Sequence, residues 1–140
     1  KSKKTSRKVN AISNLNKCQK PKISFVENES DPMVEFHLNE YQIVINLKSD
    51  LFNFRKDRIK DRLGQACLVE EQLNWELRKT IFLNACYRIF ETNINNKDIP
   101  IHTRKEMWSS EHLESAWGYQ EEARLLKVIR AKNKKQKLVA

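Results

Sequence analysis

Between Met33 and Phe52 apolar and polar residues alternate with a period of two, with one break in the middle. That period predicts strands. Val34, Phe36 and Leu38 fall on one face of the first strand, and Tyr41, Ile43, Ile45 and Leu47 on one face of the second. Folding the segment about Asn39–Glu40 sets Leu38 opposite Tyr41, Phe36 opposite Ile43 and Val34 opposite Ile45. Every apolar residue then meets another, so the register is internally consistent. Asn39 suits a turn position with positive φ, and a longer loop is the alternative. The other face carries Glu35, His37, Gln42 and Asn46. Upstream, Ile23 and Phe25 share a face of a short strand that ends in the turn-forming residues Asn28 to Pro32.

After Lys48 the period lengthens towards that of a helix. Ser49 or Asp50 is placed to cap a first helix. Gly64 either separates it from a second helix or sits inside one long helix. Val69, Leu73, Leu77 and Ile81 form an i, i+4 stripe, and residues 81–90 are apolar on nearly every side, which predicts burial on several sides. A loop over residues 94–102 leads to Thr103–Glu106, a capping-box pattern. A last helix starts there or at Ser109 or Ser110, with Leu113, Ala116, Trp117, Ala123, Leu126 and Ile129 on its apolar side, and Gly118 weakening it. Val9, Ile12 and Leu15 allow a short docked helix near the start. The expected fold is α+β: a small antiparallel sheet, hairpin plus one strand, packed on two or three helices. The expected organisation is a basic N-terminal tail (1–22), one domain (23–129) and a basic C-terminal tail (130–140).

Charge sharpens this division. The 140 residues carry a net charge of +9. Residues 1–22 hold eight Lys/Arg and no acid, and residues 123–140 hold seven and no acid. All 18 acids lie between Glu27 and Glu122, against twelve bases there, so the ends total +15 and the body −6. Such segregation predicts ends that seek polyanions. The residues expected to contact phosphates are Lys1, Lys3, Lys4, Arg7 and Lys8 at one end, and Arg130, Lys132, Lys134, Lys135 and Lys137 at the other. Without a polyanion, the last helix is expected to fray beyond Ile129, where the apolar stripe stops and like charges repel. The helix segment 54–62 adds Arg55, Lys56, Arg58, Lys60 and Arg62 against Asp57 and Asp61; phosphate contact and a salt-bridged solvated face are both open for it.

Candidate chemistry is sparse. Two glycines, Gly64 and Gly118, both in helical patterns, exclude a glycine-rich phosphate loop. Cys18, Cys67 and Cys86 are odd in number and lack a C-x-x-C, against a disulfide scaffold or zinc knuckle and for free thiols in a reducing compartment inside the cell. His37, His102 and His112 lack metal-ligand spacing. Glu35 and His37 form a conceivable acid/base pair, and the strand ending in Asn46-Leu47-Lys48 has Asn where a nuclease needs an acid. Trp75, Trp108 and Trp117 sit in or beside apolar stripes and read as core or interface anchors rather than base-stacking platforms. No apolar run is long enough to span a bilayer. The first residue is Lys rather than Met, which suits a processed or excised segment. The expected protein is no enzyme and needs no cofactor. It is a nucleic-acid-associated or ribonucleoprotein component, binding RNA or DNA and partner chains and not membrane. A protein-interaction module of a larger assembly is the competing class.

Residues 30–54, "SDPMVEFHLNEYQIVINLKSDLFNF", resemble the segment that follows the ATP-binding domain in bacterial ATPases of the gyrase, heat-shock-90, histidine-kinase and mismatch-repair superfamily. "MWSSEHL" (107–113) is similar to a Trp-Ser pair in the closing helix of those proteins. Lys48 stands where that family has Asn, Ser49-Asp50-Leu51 stand where His-Pro is common, and no ATP-site motif is present. The resemblance implies a coupling or partner-binding segment rather than the motor.

Overall fold

The structure, a computed structural model, describes residues 11–64 and 69–139, with side chains as far as Lys135. A helix, α1, covers 11–16. Ala11 and Leu15 dock it into the core, while Ile12 stays 40% exposed. It ends with Cys18 in the left-handed region (φ 55). There the Cys18 N–H donates to Leu15 O and the Gln19 N–H to Asn14 O, a Schellman closure made without glycine. Residues 11–16, inside the basic N-terminal segment, thus pack on the body as the short docked helix that the apolar spacing allows.

Strands β1 (Lys22–Val26), β2 (Val34–His37) and β3 (Gln42–Asn46) form a sheet in the order β1-β3-β2. The hairpin register is the expected one, with Val34 opposite Ile45 and Phe36 opposite Ile43. Positive φ falls on Tyr41 (φ 48), not Asn39, as in a three-residue connection that closes on a left-handed residue. Its ring is buried and its hydroxyl donates to the Gln19 carbonyl, so tertiary contacts hold a conformation that a tyrosine avoids alone. The fold is α+β as expected, but β1 runs parallel to β3, which makes the sheet mixed rather than antiparallel.

The parallel pairing needs residues 27–33 to cross the end of β3, and Asn46 holds that crossing. Its Oδ1 accepts from the N–H groups of Asn28 (3.0 Å) and Lys48 (3.1 Å). Its Nδ2 donates to the carbonyls of Asn28 (2.5 Å) and Asp31 (2.9 Å). At 1% exposure these bonds offset the cost of burying an amide.

Helix α2 (Asp50–Leu63) starts at Ser49, whose side chain accepts from the Leu51 N–H, and ends at Gly64 (φ 57), so Gly64 separates two helices. Helix α3 (Glu70–Asn95) buries Leu73, Leu77, Ile81, Ala85 and Ile89 at i, i+4 spacing. Val69, expected in that stripe, precedes the helix and is 68% exposed. Residues 81–90 are not buried all round either: Leu83 is 42% and Tyr87 70% exposed. Then come α4 (Ile101–Arg104), a 3-10 turn (Lys105–Trp108), α5 (Ser110–Ser115) and α6 (Tyr119–Val139). Pro100 rather than Thr103 precedes α4, Ser109 caps α5, and Gly118 lies in a break before α6.

One core joins these elements. Val34, Ile43 and Ile45 meet α3, α5 and Trp108. Phe36 is half-buried, edge-on to Trp108 (5.8 Å) and Tyr41 (6.1 Å). Phe52, Ile59, Leu125, Leu126 and Ile129 close the side made by α2 and α6. Among the described residues no helix is long and apolar enough to cross a membrane.

Candidate polyanion-contacting surface

Helix α6 begins with acids that suit its N-terminus: Glu121 accepts from the Gly118 N–H (2.8 Å), with Glu122 beside it. Leu125, Leu126 and Ile129 then bury one face. On the other face Arg124, Lys127, Arg130, Lys134 and Lys135 are exposed. No acid follows Glu122 in the sequence, so nothing on that part of the helix offsets them.

The expected site residues separate into three groups. Lys1, Lys3, Lys4, Arg7 and Lys8 lie outside the described residues. Lys134 and Lys135 are exposed on α6, and Lys137 lies on the same helix with its side chain outside the described part. Arg130 and Lys132 are engaged by the body. Arg130 Nη2 donates to Arg62 O (3.4 Å), and Lys132 Nζ pairs with Glu76, a carboxylate only 3% exposed. Lys132 is a structural pair for a buried acid. α6 runs to Val139, and that pair links it to α3. The boundary expected at 130 falls inside a continuous helix.

The basic residues of α2 are mostly matched by acids. Arg55 is 8% exposed, donates to Glu114 O (2.9 Å) and lies 4.8 Å over the Trp117 ring. Burial lowers it to about 10, against the opposing pull of Glu114, Glu121 and Glu122. Lys56 and Lys60 share Glu70 (3.2 and 3.3 Å), whose carboxyl they hold below its ordinary value. Arg58 grips Glu122 with two bonds (3.1 and 3.2 Å) and is held above its ordinary value by it. Arg62 lies 3.7 Å from the same carboxylate.

Two polar centres carry no signal in the sequence. Arg104, 8% exposed, donates to Asn93 Oδ1 (2.7 Å) and to the carbonyls of Lys97 (3.1 Å) and Ile99 (2.5 Å), fastening the loop after α3. Asn93 in turn donates to Asn16 (3.2 Å) on α1. The other is Asn46.

Glu35 and His37 do meet, at 3.2 Å, on the exposed face of the sheet. His37 also lines a shallow depression with Lys105, Trp108 and the hairpin tip. A second depression gathers Arg88, Glu91, Asn95, Met107 and His112. Neither contains a cysteine or converging carboxylates. Among the described residues no three His, Cys, Asp or Glu are grouped to hold a metal ion. Cys86 is a buried free thiol pushed up to about 11 by burial, Cys18 is exposed, and Cys67 lies outside the described residues. Trp108 is buried and Trp117 half-buried in the core, while Trp75 is 56% exposed. Comparison of the chain with protein-family models, with curated proteins and with solved structures finds no match.

Proposed function

We propose that this protein is a non-catalytic nucleic-acid-associated or ribonucleoprotein component whose basic ends contact phosphates. The observation that carries the reading is the outer face of α6, where Arg124, Lys127, Lys134 and Lys135 are exposed on a segment without an acid. A row of cations on a helix already formed meets a polyanion at less ordering cost than a coil does. The lysines and arginine of residues 1–8 add to the same charge. Anisotropy of a labelled 20-nucleotide RNA or DNA, titrated with the full chain between 50 and 300 mM salt, tests this. Binding whose logarithm falls linearly with log salt, with a slope of several units, is expected. Absence of binding at 50 mM salt would refute it.

A second reading, a protein-interaction or coupling module in which nucleic acid has no part, is favoured by α3. There Leu83, Tyr87 and Ile94 are 42%, 70% and 53% exposed at helical spacing. Binding to a partner through that face would respond little to salt.

A further inference from the structure

We propose that the folded body adds a fixed phosphate-binding site where α2 meets α6, built from Arg58, Arg62 and Arg130. It rests on the nucleic-acid reading above and changes it in one respect. The ends would supply diffuse attraction, and these arginines would fix where the polyanion lies.

Two guanidiniums are held here against one carboxylate, and a third joins them through a backbone carbonyl. Arg58 spends Nε and one Nη2 bond on Glu122 and lies 6.0 Å over the Phe54 ring. Arg62 approaches the same carboxylate at 3.7 Å through Nη1. Arg130 reaches across from α6 to the Arg62 carbonyl (3.4 Å), in the last turn of α2 where a cation is favoured. Glu122 is 6% exposed, whereas the side chains of Arg58 and Arg62 are 40% and 45% exposed. The anion that orients the pair is thus sunk below it, and the cations face solvent with donors unspent. On the α6 side of the seam, three positive charges face one buried carboxylate, while Asp57 and Asp61 lie on the outer side of α2.

The other edge of α2 serves as a reference. Lys56 and Lys60 also share one acid, but Glu70 is 58% exposed, more than either lysine (15% and 36%). An incoming phosphate would face that carboxylate directly. Ammonium groups also lack the fork that binds two phosphate oxygens at once. At the arginine edge, Lys127 and Lys134 sit one turn before and one turn after Arg130 on α6. The exposed Asp57 and Asp61 of α2 disfavour approach from beyond that helix. The ligand is therefore a phosphate group lying along the α6 side of the seam. A backbone phosphodiester and free inorganic phosphate share this chemistry.

The test uses the full chain and two triple variants. Arg58→Lys/Arg62→Lys/Arg130→Lys keeps the charge and the pairing to Glu122 but removes the forks. Lys48→Gln/Lys56→Gln/Lys60→Gln removes three charges elsewhere. For a labelled 20-nucleotide strand at 100 mM salt, the arginine-to-lysine variant should bind about tenfold more weakly, and the lysine-to-glutamine variant about two- to threefold. The arginine Nε resonances of 58, 62 and 130 should shift on binding. If the arginine-to-lysine variant binds like the wild type, the site is refuted while the role of the basic ends stands. If the strand does not bind at all but inorganic phosphate shifts those three resonances, the site stands and the nucleic-acid reading falls. If neither ligand shifts them, the site is refuted outright.

Discussion

On the sheet side, Val34, Ile43 and Ile45 meet α3, α5 and Trp108 through apolar contacts. On the helical side, α2, α6 and the first half of α3 bury apolar residues too, but polar groups under the surface fasten them. These are Glu76 with Lys132, Glu122 with Arg58 and Arg62, and Arg55 beneath Trp117. The sheet side is sealed mainly by apolar packing, with buried Asn46 holding its crossing. The helical side is held by acids sunk below cations that reach solvent. A molecule with surplus positive charge spends part of it on its own body, and only what remains is left for a partner.

The largest effect should separate the two sides. Ile43→Ala removes a fully buried side chain from the sheet and should cost about 3 kcal/mol in chemical denaturation. Phe36→Ala, at a half-buried position, should cost less, about 2 kcal/mol. If Phe36→Ala costs as much as Ile43→Ala, the sheet is sealed differently from this account.

On the helical side, Lys132→Met should cost about 2 kcal/mol, because among the described residues it leaves the Glu76 carboxylate under the surface with Lys79, 4.0 Å away, to offset it. Glu76→Gln should cost less, since Lys132 is 46% exposed and can turn to water. A double-mutant cycle measures the coupling. Equal single effects and no coupling would show that α6 is not stapled here.

A smaller change is expected at Cys18, whose left-handed conformation suits glycine. Cys18→Gly should stabilise the fold by roughly 1 kcal/mol. A loss of stability there would mean that the thiol does more than occupy the turn.

The smallest effect is in pH. Cys86 is pushed from 9.0 up to about 11 and Tyr41 from 10.0 up to about 12, chiefly by burial. Between pH 9 and 10 the unfolded chain loses the Cys86 proton that the folded chain keeps, so unfolding releases a proton and stability falls as pH rises. Below pH 9 this contribution is fully present. Arg55, lowered to about 10, acts in the opposite direction only above that. Cys86→Ala should flatten the fall between pH 9 and 10, measured by urea midpoints.

The hairpin was legible because alternation and complementary pairs agree on one register, as with Phe36 opposite Ile43. The direction of β1 was not. A five-residue strand pairs at either edge, and here one amide, Asn46, fixes the crossing that makes it parallel. Periodicity found Leu73, Leu77 and Ile81. It did not show that the buried face of α3 shifts along its length and leaves Leu83 and Tyr87 in water. Charge counting found the basic ends and the basic run of α2. It could not tell Lys132 or Arg58, which the body uses, from Lys134 or Lys127, because pairing depends on acids far away in sequence, Glu76 and Glu122. Arg104 shows the same limit, since a buried arginine looks like a surface one in the sequence.

The central claim, that the basic ends contact nucleic-acid phosphates, is tested most directly by one salt titration on two full-length chains. One is the wild type. The other carries Gln at positions 1, 3, 4, 7, 8, 134, 135 and 137, the expected phosphate contacts apart from Arg130 and Lys132, which the body engages. Circular dichroism first establishes that both are folded. The substituted chain should bind a labelled RNA or DNA strand at least tenfold more weakly at 100 mM salt, with a salt slope smaller by several units. Equal affinity and equal slope in the two chains would contradict the account.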